Sequence, residues 1–293
     1  MRRGAHLPGI AAVAGGTGPD LGAALTWVET TVASARAAGA RLVVFPECAL
    51  GGYPKELPGG GLAGPPVTIS PDGPEVARLV RAAGSTTVCV GISEEAPGGG
   101  RYNSALCLSG DGILGHHRKV HIPPAEVFTY VPGDRFEAFD TPVGRMGMLI
   151  CYDKLFPEAA GHLAGGGAQI IASLSAWPVC RRRPSRWIAF DVQAHHFDLV
   201  DRTRALENQV VWVSSNQVGR SGGLRFVGRA KVVDPMGRVL ARTYGRSGVA
   251  LARMDVKAVV RSTRDALCHL DDRRPAAYGA SAGPMAATAA PRR

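Results

Sequence analysis

The sequence predicts a layered α/β or α+β fold in a single domain. Three features carry that expectation. Apolar runs of strand length recur along the chain, helical patterns separate several of them, and tight turns join others as hairpins. Crossover units bring parallel neighbours and hairpins bring antiparallel ones, so mixed sheets are expected.

The elements follow in order. Ile10 to Ala14 is a short apolar run. Asp20 then caps a helix whose apolar positions Leu21, Leu25, Val28, Val32 and Ala35 recur at spacings of four and three, and Gly39 stops it. "RLVVFPE" reads as a buried strand ending at Pro46 and Glu47. After a Gly/Pro-rich loop come a helix near Pro74 to Ala83 and the strand "TTVCVGI". "NSALCLS" and "GILGHH" form a hairpin through "GDG". "MGMLI" and "AQIIASLS" are buried strands on either side of a helix starting near Pro157. A helical stretch, Asp191 to Asn208, leads to "VVWVSSN" and then to three strands, "FVGRAKVVD", "GRVLAR" and "GVALARMD". Asp234 to Gly237 turns between the first two. The domain is expected over residues 1–278, and the tail 279–293 has the composition of disorder.

Composition narrows the function. A chain of 293 residues with 45% hydrophobic and 20% charged residues can bury a large core. No run approaches the roughly 20 apolar residues of a membrane span. The N-terminal apolar run is broken by Pro8 and glycines, so a signal peptide is rejected and a cytosolic setting expected. The net charge of +10 is scattered and almost all arginine, with lysine only at 55, 119, 154, 231 and 257. No nucleic-acid motif accompanies it, so no nucleic-acid or membrane partner is expected. The six cysteines form no C-x-x-C pair and read mostly as core.

Three apolar strands are each followed at once by a reactive side chain: "RLVVFPE" by Glu47, "GILGHHRK" by Lys119 and "MGMLIC" by Cys151. Strand C-termini aim side chains into loop-lined crevices. A carboxylate, an ammonium and a thiol meeting there could supply a base, an oxyanion partner and a nucleophile. Each alone has a plainer reading: buried cysteine, loop glutamate, basic surface patch.

"VVFPE", "HHRKVHIPPAE" and "GMLICYDKLFPEAA" occur in the order and spacing of the nitrilase superfamily of carbon–nitrogen hydrolases, and the resemblance runs nearly the whole chain. "RTRALENQVVWVSSNQVG", "FVGRAKVVDPMGRVLA" and "DDRRPAAY" resemble its later segments. The resemblance implies a four-layer α-β-β-α sandwich, a homodimer or larger homo-oligomer, and no metal or organic cofactor. It also implies a triad of Glu47 (base), Lys119 (oxyanion) and Cys151 (nucleophile), with Glu126 matching a second glutamate. Tyr53, Tyr152, Asp153, Ser175 and Trp177 are the candidate substrate contacts. "CYDKLFPEAA" resembles amidase and carbamoyl-hydrolase branches, whereas "GGYPK" resembles nitrilases. An amide or N-carbamoyl substrate is therefore favoured over a nitrile. Ser173 and Leu174, where relatives often carry Asn and Pro, and a first strand without the common glutamine point to an altered pocket.

"GGTGPDLG" lacks the dinucleotide fingerprint spacing, and Pro19 blocks the phosphate approach. The histidines show no metal-site spacing. Arg181, Arg182, Arg183 and Arg186 read as a solvated charge run or, more sharply, as a clamp for a substrate carboxylate or phosphate. Acyl transfer to an amine acceptor and a non-catalytic partner subunit remain as alternatives.

Overall fold

The computed structural model describes residues 7–16, 20–52, 67–221, 223–274 and 277. Tyr53, most of the "GGYPK" segment and the tail 279–293 lie outside the described residues. The first half runs β1 (Gly9–Gly15), α1 (Leu21–Ala37), β2 (Ala40–Val44), α2 (Pro74–Ala83), β3 (Thr87–Glu95), β4 (Arg101–Ser109) and β5 (Gly112–Arg118). The second runs β6 (Phe139–Thr141), β7 (Gly144–Ile150), α3 (Pro157–Gly165), β8 (Ile170–Ser175), α4 (Val192–Asn208) and β9 (Val211–Ser221). It ends with β10 (Leu224–Val227), β11 (Lys231–Val233), β12 (Val239–Arg242), β13 (Gly248–Arg253) and α5 (Val256–Leu267).

The strands join in the order β5-β4-β3-β2-β1-β9-β8-β7-β6. Pairs connected through helices, such as β1–β2, β7–β8 and β8–β9, are parallel, and the hairpins β4–β5 and β6–β7 are antiparallel. β13 closes on β1 with Gly9 opposite Arg253.

Alternation along the strands builds the layers. In β1, Ile10, Ala12 and Ala14 face a central core shared with Met146, Met148 and Ile150 of β7 and Val211 and Val213 of β9. Ala11 and Val13 point the other way, onto Leu25, Val28 and Val32 of α1 and Leu79 of α2. On the opposite side Leu149, Ile171 and Trp212 pack on Ala159, Ala160 and Leu163 of α3 and Ala205 of α4. A two-residue period thus yields one continuous sheet folded back on itself, its two halves packed face to face with helices outside each, which forms the expected α-β-β-α sandwich. Each fully buried Val, Leu or Ile contributes about 1.5–3 kcal/mol to this packing.

Local signals explain the helix limits. The Asp20 carboxylate accepts the Ala23 N–H at 2.9 Å, and Gly39, at φ +90°, follows the last turn of α1. Two expectations need correction. "FVGRAKVVD" is not one strand: Gly228 and Arg229 take φ of +61° and +60°, which breaks the run into β10, on β9, and β11. The sequence reading also missed α5, whose inner face is Val256, Val260 and Thr263, and β6, which pairs with β7 over three residues.

Candidate active site

Three chain turns bring the reactive groups together. After β2 the backbone bends through Cys48 at φ +49°, and Glu47 is carried inward to zero exposure. Only glycine fits opposite this bend, since a Cβ on Gly91 would lie 2.5 Å from the Cys48 nitrogen and 2.6 Å from the Pro46 oxygen. Lys119 directly follows β5, its N–H donating to the Asn103 carbonyl at 2.8 Å. Cys151 directly follows β7 at φ +47° and opens a 3₁₀ turn, Cys151–Leu155. A left-handed non-glycine residue costs roughly 1–3 kcal/mol, and such strain concentrates at functional sites.

Lys119 Nζ donates to Glu47 Oε1 at 2.7 Å and to Glu126 Oε2 at 2.8 Å. Asn103 Nδ2 donates to the same Glu47 oxygen at 2.7 Å, and the Ala176 N–H donates to Oε2 at 2.7 Å. Gln217 Nε2 donates to the Glu47 carbonyl at 3.0 Å. The carboxylate is thereby fixed at both oxygens and at its backbone.

Burial dominates the electrostatics. It drives the Cys151 thiol well above its ordinary pKa, and Glu47 adds to the rise against the opposing pull of Lys119. It also raises the Glu47 carboxyl, only partly offset by Lys119. For Lys119, burial alone would lower the pKa, yet Glu126 and Glu47 outweigh it and hold the ammonium charged. The resting arrangement therefore favours a protonated thiol beside a carboxylate of raised proton affinity.

Cys151, 8% exposed, opens onto a cleft of about 460 Å³. Glu126, Tyr152 and Trp177 also line it, with Leu155, Val179 and Leu224 as apolar wall and Arg181 and Arg182 as cationic residues. Trp177 is fixed by its N–H to Asn216 Oδ1 at 2.7 Å and by Nε1 to Gln193 Oε1 at 2.9 Å.

Two expected substrate contacts sit elsewhere. Asp153 is fully buried behind the turn: Oδ1 accepts the His121 N–H at 2.9 Å, and Oδ2 accepts the Ile150 N–H at 3.1 Å and lies 3.0 Å from His117 Nε2. These partners hold its pKa far below the usual carboxylate range despite burial. The residue shapes the turn that carries Cys151. Ser175 is likewise sealed, at the end of β8, and does not line the cleft. The histidines near Lys119 are engaged with carboxylates, His116 with Glu94 and His117 and His121 with Asp153. Among the described residues no group of three or more His, Cys, Asp or Glu side chains could hold a metal ion.

A second buried network supports the turn from α4. Lys154 Nζ donates to Asp201 Oδ1 at 2.8 Å and lies 3.4 Å from the centre of the Phe197 ring. Trp212 Nε1 and Lys231 Nζ share Asp201, at 3.0 and 2.6 Å. Arg204 Nε donates to the Lys154 carbonyl at 2.8 Å. Burial lowers the Lys154 pKa to about 8 against the pull of Asp201.

Sequence reasoning missed Asn103, Asn216 and Gln217. Asn216 ends the apolar run "VVWVSSN" and Gln217 follows it, a polar pair whose position after that run was the available signal, although β9 continues through both to Ser221. Asn103 opens an apolar strand, and a polar residue there was the available signal.

The carbon-nitrogen hydrolase family model matches residues 10–265. A nitrilase of Pyrococcus abyssi is 32% identical over 79% of this chain and 83% of its own length. An (R)-stereoselective amidase of a Pseudomonas species is 33% identical, covering 80% and 79%. The crystal structure of Saccharomyces cerevisiae Nit3, a member of branch 10 of the nitrilase superfamily, superposes with a TM-score of 0.73 at 27% identity, over 90% of this chain and 95% of that one. A family match across nearly the whole described fold, with Cys151 and Glu126 lining one cleft and Lys119 bonding Glu126 and Glu47 behind it, makes the chain a carbon–nitrogen hydrolase of the nitrilase superfamily.

Proposed function

We propose that this hydrolase cleaves an amide or N-carbamoyl carbon–nitrogen bond through a thioester on Cys151. The observation that carries the reading is the fully buried Glu47–Lys119 pair bonded through Lys119 to Glu126, which lines the same cleft as Cys151. The Cys151 thiol proton passes to Glu47 as sulfur bonds to the carbonyl carbon. Lys119 and the Tyr152 N–H stabilise the tetrahedral oxyanion. Collapse breaks the C–N bond, and the leaving ammonia or amine takes the proton from Glu47. Water then attacks the thioester as Glu47 accepts its proton, and the C–S bond breaks to return the thiol and release the acid. Glu126 keeps Lys119 charged and in place. Trp177 and Tyr152 shape the acyl pocket.

Ammonia release from a panel of primary amides, N-carbamoyl compounds and nitriles by wild type, Cys151→Ala and Glu47→Gln tests this. Wild type should turn over amides or carbamoyl compounds and both variants should lose at least about a thousandfold in rate. Full activity in Cys151→Ala would overturn the reading. The name of the Pyrococcus relative supports a nitrile substrate as the second reading, which the same panel separates.

Pairing of subunits belongs to this reading. Val192, Leu199 and Leu206 recur every seven residues on α4 and are 46%, 53% and 42% exposed, an apolar seam suited to a second copy. Size-exclusion chromatography with light scattering reads the mass directly. A cytosolic setting is supported by six free thiols, one of which must stay reduced for catalysis.

A further inference from the structure

A surplus of positive charge is packed against the turn that carries Cys151. Lys154, three residues on in that turn, and Lys231, which opens β11, are both fully buried. They share Asp201 of α4, at 2.8 and 2.6 Å. Lys231 also meets Asp198 at 3.2 Å, and Asp198 is itself paired with Arg229. Three cations thus face two carboxylates in this network.

The excess falls on Lys154. Lys231 reaches both carboxylates, whereas Lys154 is bonded to Asp201 and otherwise lies against rings, 3.4 Å from the centre of Phe197 and 4.8 Å from that of Trp177. Trp177 lines the same cleft as Cys151, so the ammonium sits behind the cleft wall. Its backbone is also tied to α4, since Arg204 donates from Nε to the Lys154 carbonyl at 2.8 Å and from Nη2 to the Leu155 carbonyl at 3.1 Å. Desolvating an ammonium is costly, and an apolar side chain would fill this space without that cost. The charge itself is therefore what needs a reason. Besides Asp201, an ionised Cys151 sulfur favours the charged lysine, while Lys231 opposes it. Such coupling is reciprocal: a charged Lys154 favours negative charge at Cys151 by the same free energy.

Resting on the reading of Cys151 as nucleophile, we infer that Lys154 is a positioning residue for it: an ammonium held by Asp201 behind Trp177 that favours the negative charge developing at the Cys151 sulfur. It complements Lys119, whose ammonium is bonded to Glu47 and Glu126. Burial holds the Lys154 pKa at about 8, so the charge is present below that value and lost above it. The groups that set this titration are Asp201 from α4, Lys231 from β11 and Cys151 from the turn itself, with Asp198 and Arg229 acting through Lys231.

The test compares wild type, Lys154→Met and Lys154→Arg from about pH 6.5 to about pH 10. Lys154→Met leaves Asp201 bonded to Lys231 and Trp212, so no buried carboxylate is orphaned. Alkylation by iodoacetamide, followed by mass spectrometry of the Cys151 peptide, reads the sulfur without any substrate. Steady-state kinetics with an amide from the panel read it in turnover. Near pH 7 the alkylation rate and kcat should both be about tenfold lower in Lys154→Met, with KM little changed. That gap should close toward pH 10 as wild type loses the charge. Lys154→Arg, whose charge persists, should stay about tenfold above Lys154→Met throughout. A gap that is absent, or that stays constant with pH as a purely structural lysine would give, would overturn this role. So would a folded Lys154→Arg that tracks Lys154→Met. If circular dichroism shows Lys154→Arg unfolded, wild type against Lys154→Met decides alone. If wild type turns over no amide, the hydrolase reading fails, and the alkylation profiles decide the role of Lys154 separately.

Discussion

Lys119 Nζ lies 2.7 Å from Glu47 Oε1, and neither side chain has any exposure to solvent. The same ammonium also serves Glu126, so one cation answers two carboxylates in a dry site. Burial, with Glu126 adding to it, raises the proton affinity of Glu47 against the pull of Lys119, and burial with Glu47 disfavours a resting thiolate at Cys151. The proposed thioester route therefore requires deprotonation and attack to be coupled, with the thiol activated when a carbonyl is present to take the charge.

Lys119→Met removes the cation that two buried carboxylates share. Loss of one partner from a buried ion pair costs about 3–5 kcal/mol. Urea denaturation at neutral pH should show a loss of that order, and Lys119→Met/Glu126→Gln should recover part of it. A double variant less stable than the single one would contradict the charge-balance explanation.

Asp153→Asn distinguishes a turn-shaping role from a substrate contact. The carboxylate is absent from the cleft lining and bonded to the Ile150 and His121 backbones. Steady-state kinetics should therefore show kcat falling roughly 10- to 100-fold with KM little changed, as the nucleophile shifts. A rise in KM alone would restore the substrate-contact reading.

Glu94 gives an acid-side prediction. Its carboxyl is held to about 2, because bonds from His116, Arg118 and Ser104 outweigh burial. Between that value and the usual 4.5 the unfolded chain binds more protons, so stability rises with pH there. The contribution is fully present above about 4.5 and lost as pH falls toward 2. Glu94→Gln should thus be most destabilising above pH 5 by thermal unfolding, with the gap to wild type closing as the solution is acidified.

Lys154 acts on the alkaline side with the opposite chemistry and the same slope. Its pKa of about 8 in the fold is below the ordinary 10.5, so the unfolded chain holds the extra proton between those values. Stability contributed by this residue therefore rises with pH across that window. The stability advantage of wild type over Lys154→Met should widen from pH 8 to pH 10, and a constant gap would refute the buried, partly neutralised lysine.

Much of this architecture was legible because one residue period maps onto one layer. Ile10 and Ala12 against Ala11 and Val13 define both faces of β1 without any tertiary information. Glu47, Lys119 and Cys151 stood out because each closes an apolar run; Lys119 and Cys151 directly follow β5 and β7, and Glu47 comes three residues after β2. What stayed hidden depends on contacts between distant segments. Asn103 is 56 residues from the Glu47 it holds, and the Ala176 N–H is 129 residues away. The break at Gly228 and Arg229 is a backbone choice inside an otherwise strand-like run, and β6 is too short to show a period. The missed α5 had its signal in plain view, since Asp255 caps it through the Ala258 N–H at 3.0 Å.

The most direct test of the covalent route is rapid-quench mass spectrometry of wild type and Cys151→Ala with an amide substrate from the panel. The expected result is a transient mass increase equal to the acyl group, mapped to the Cys151 peptide and absent from the variant. Turnover by wild type with no acyl mass at any quench time, or an adduct on another residue, would contradict it.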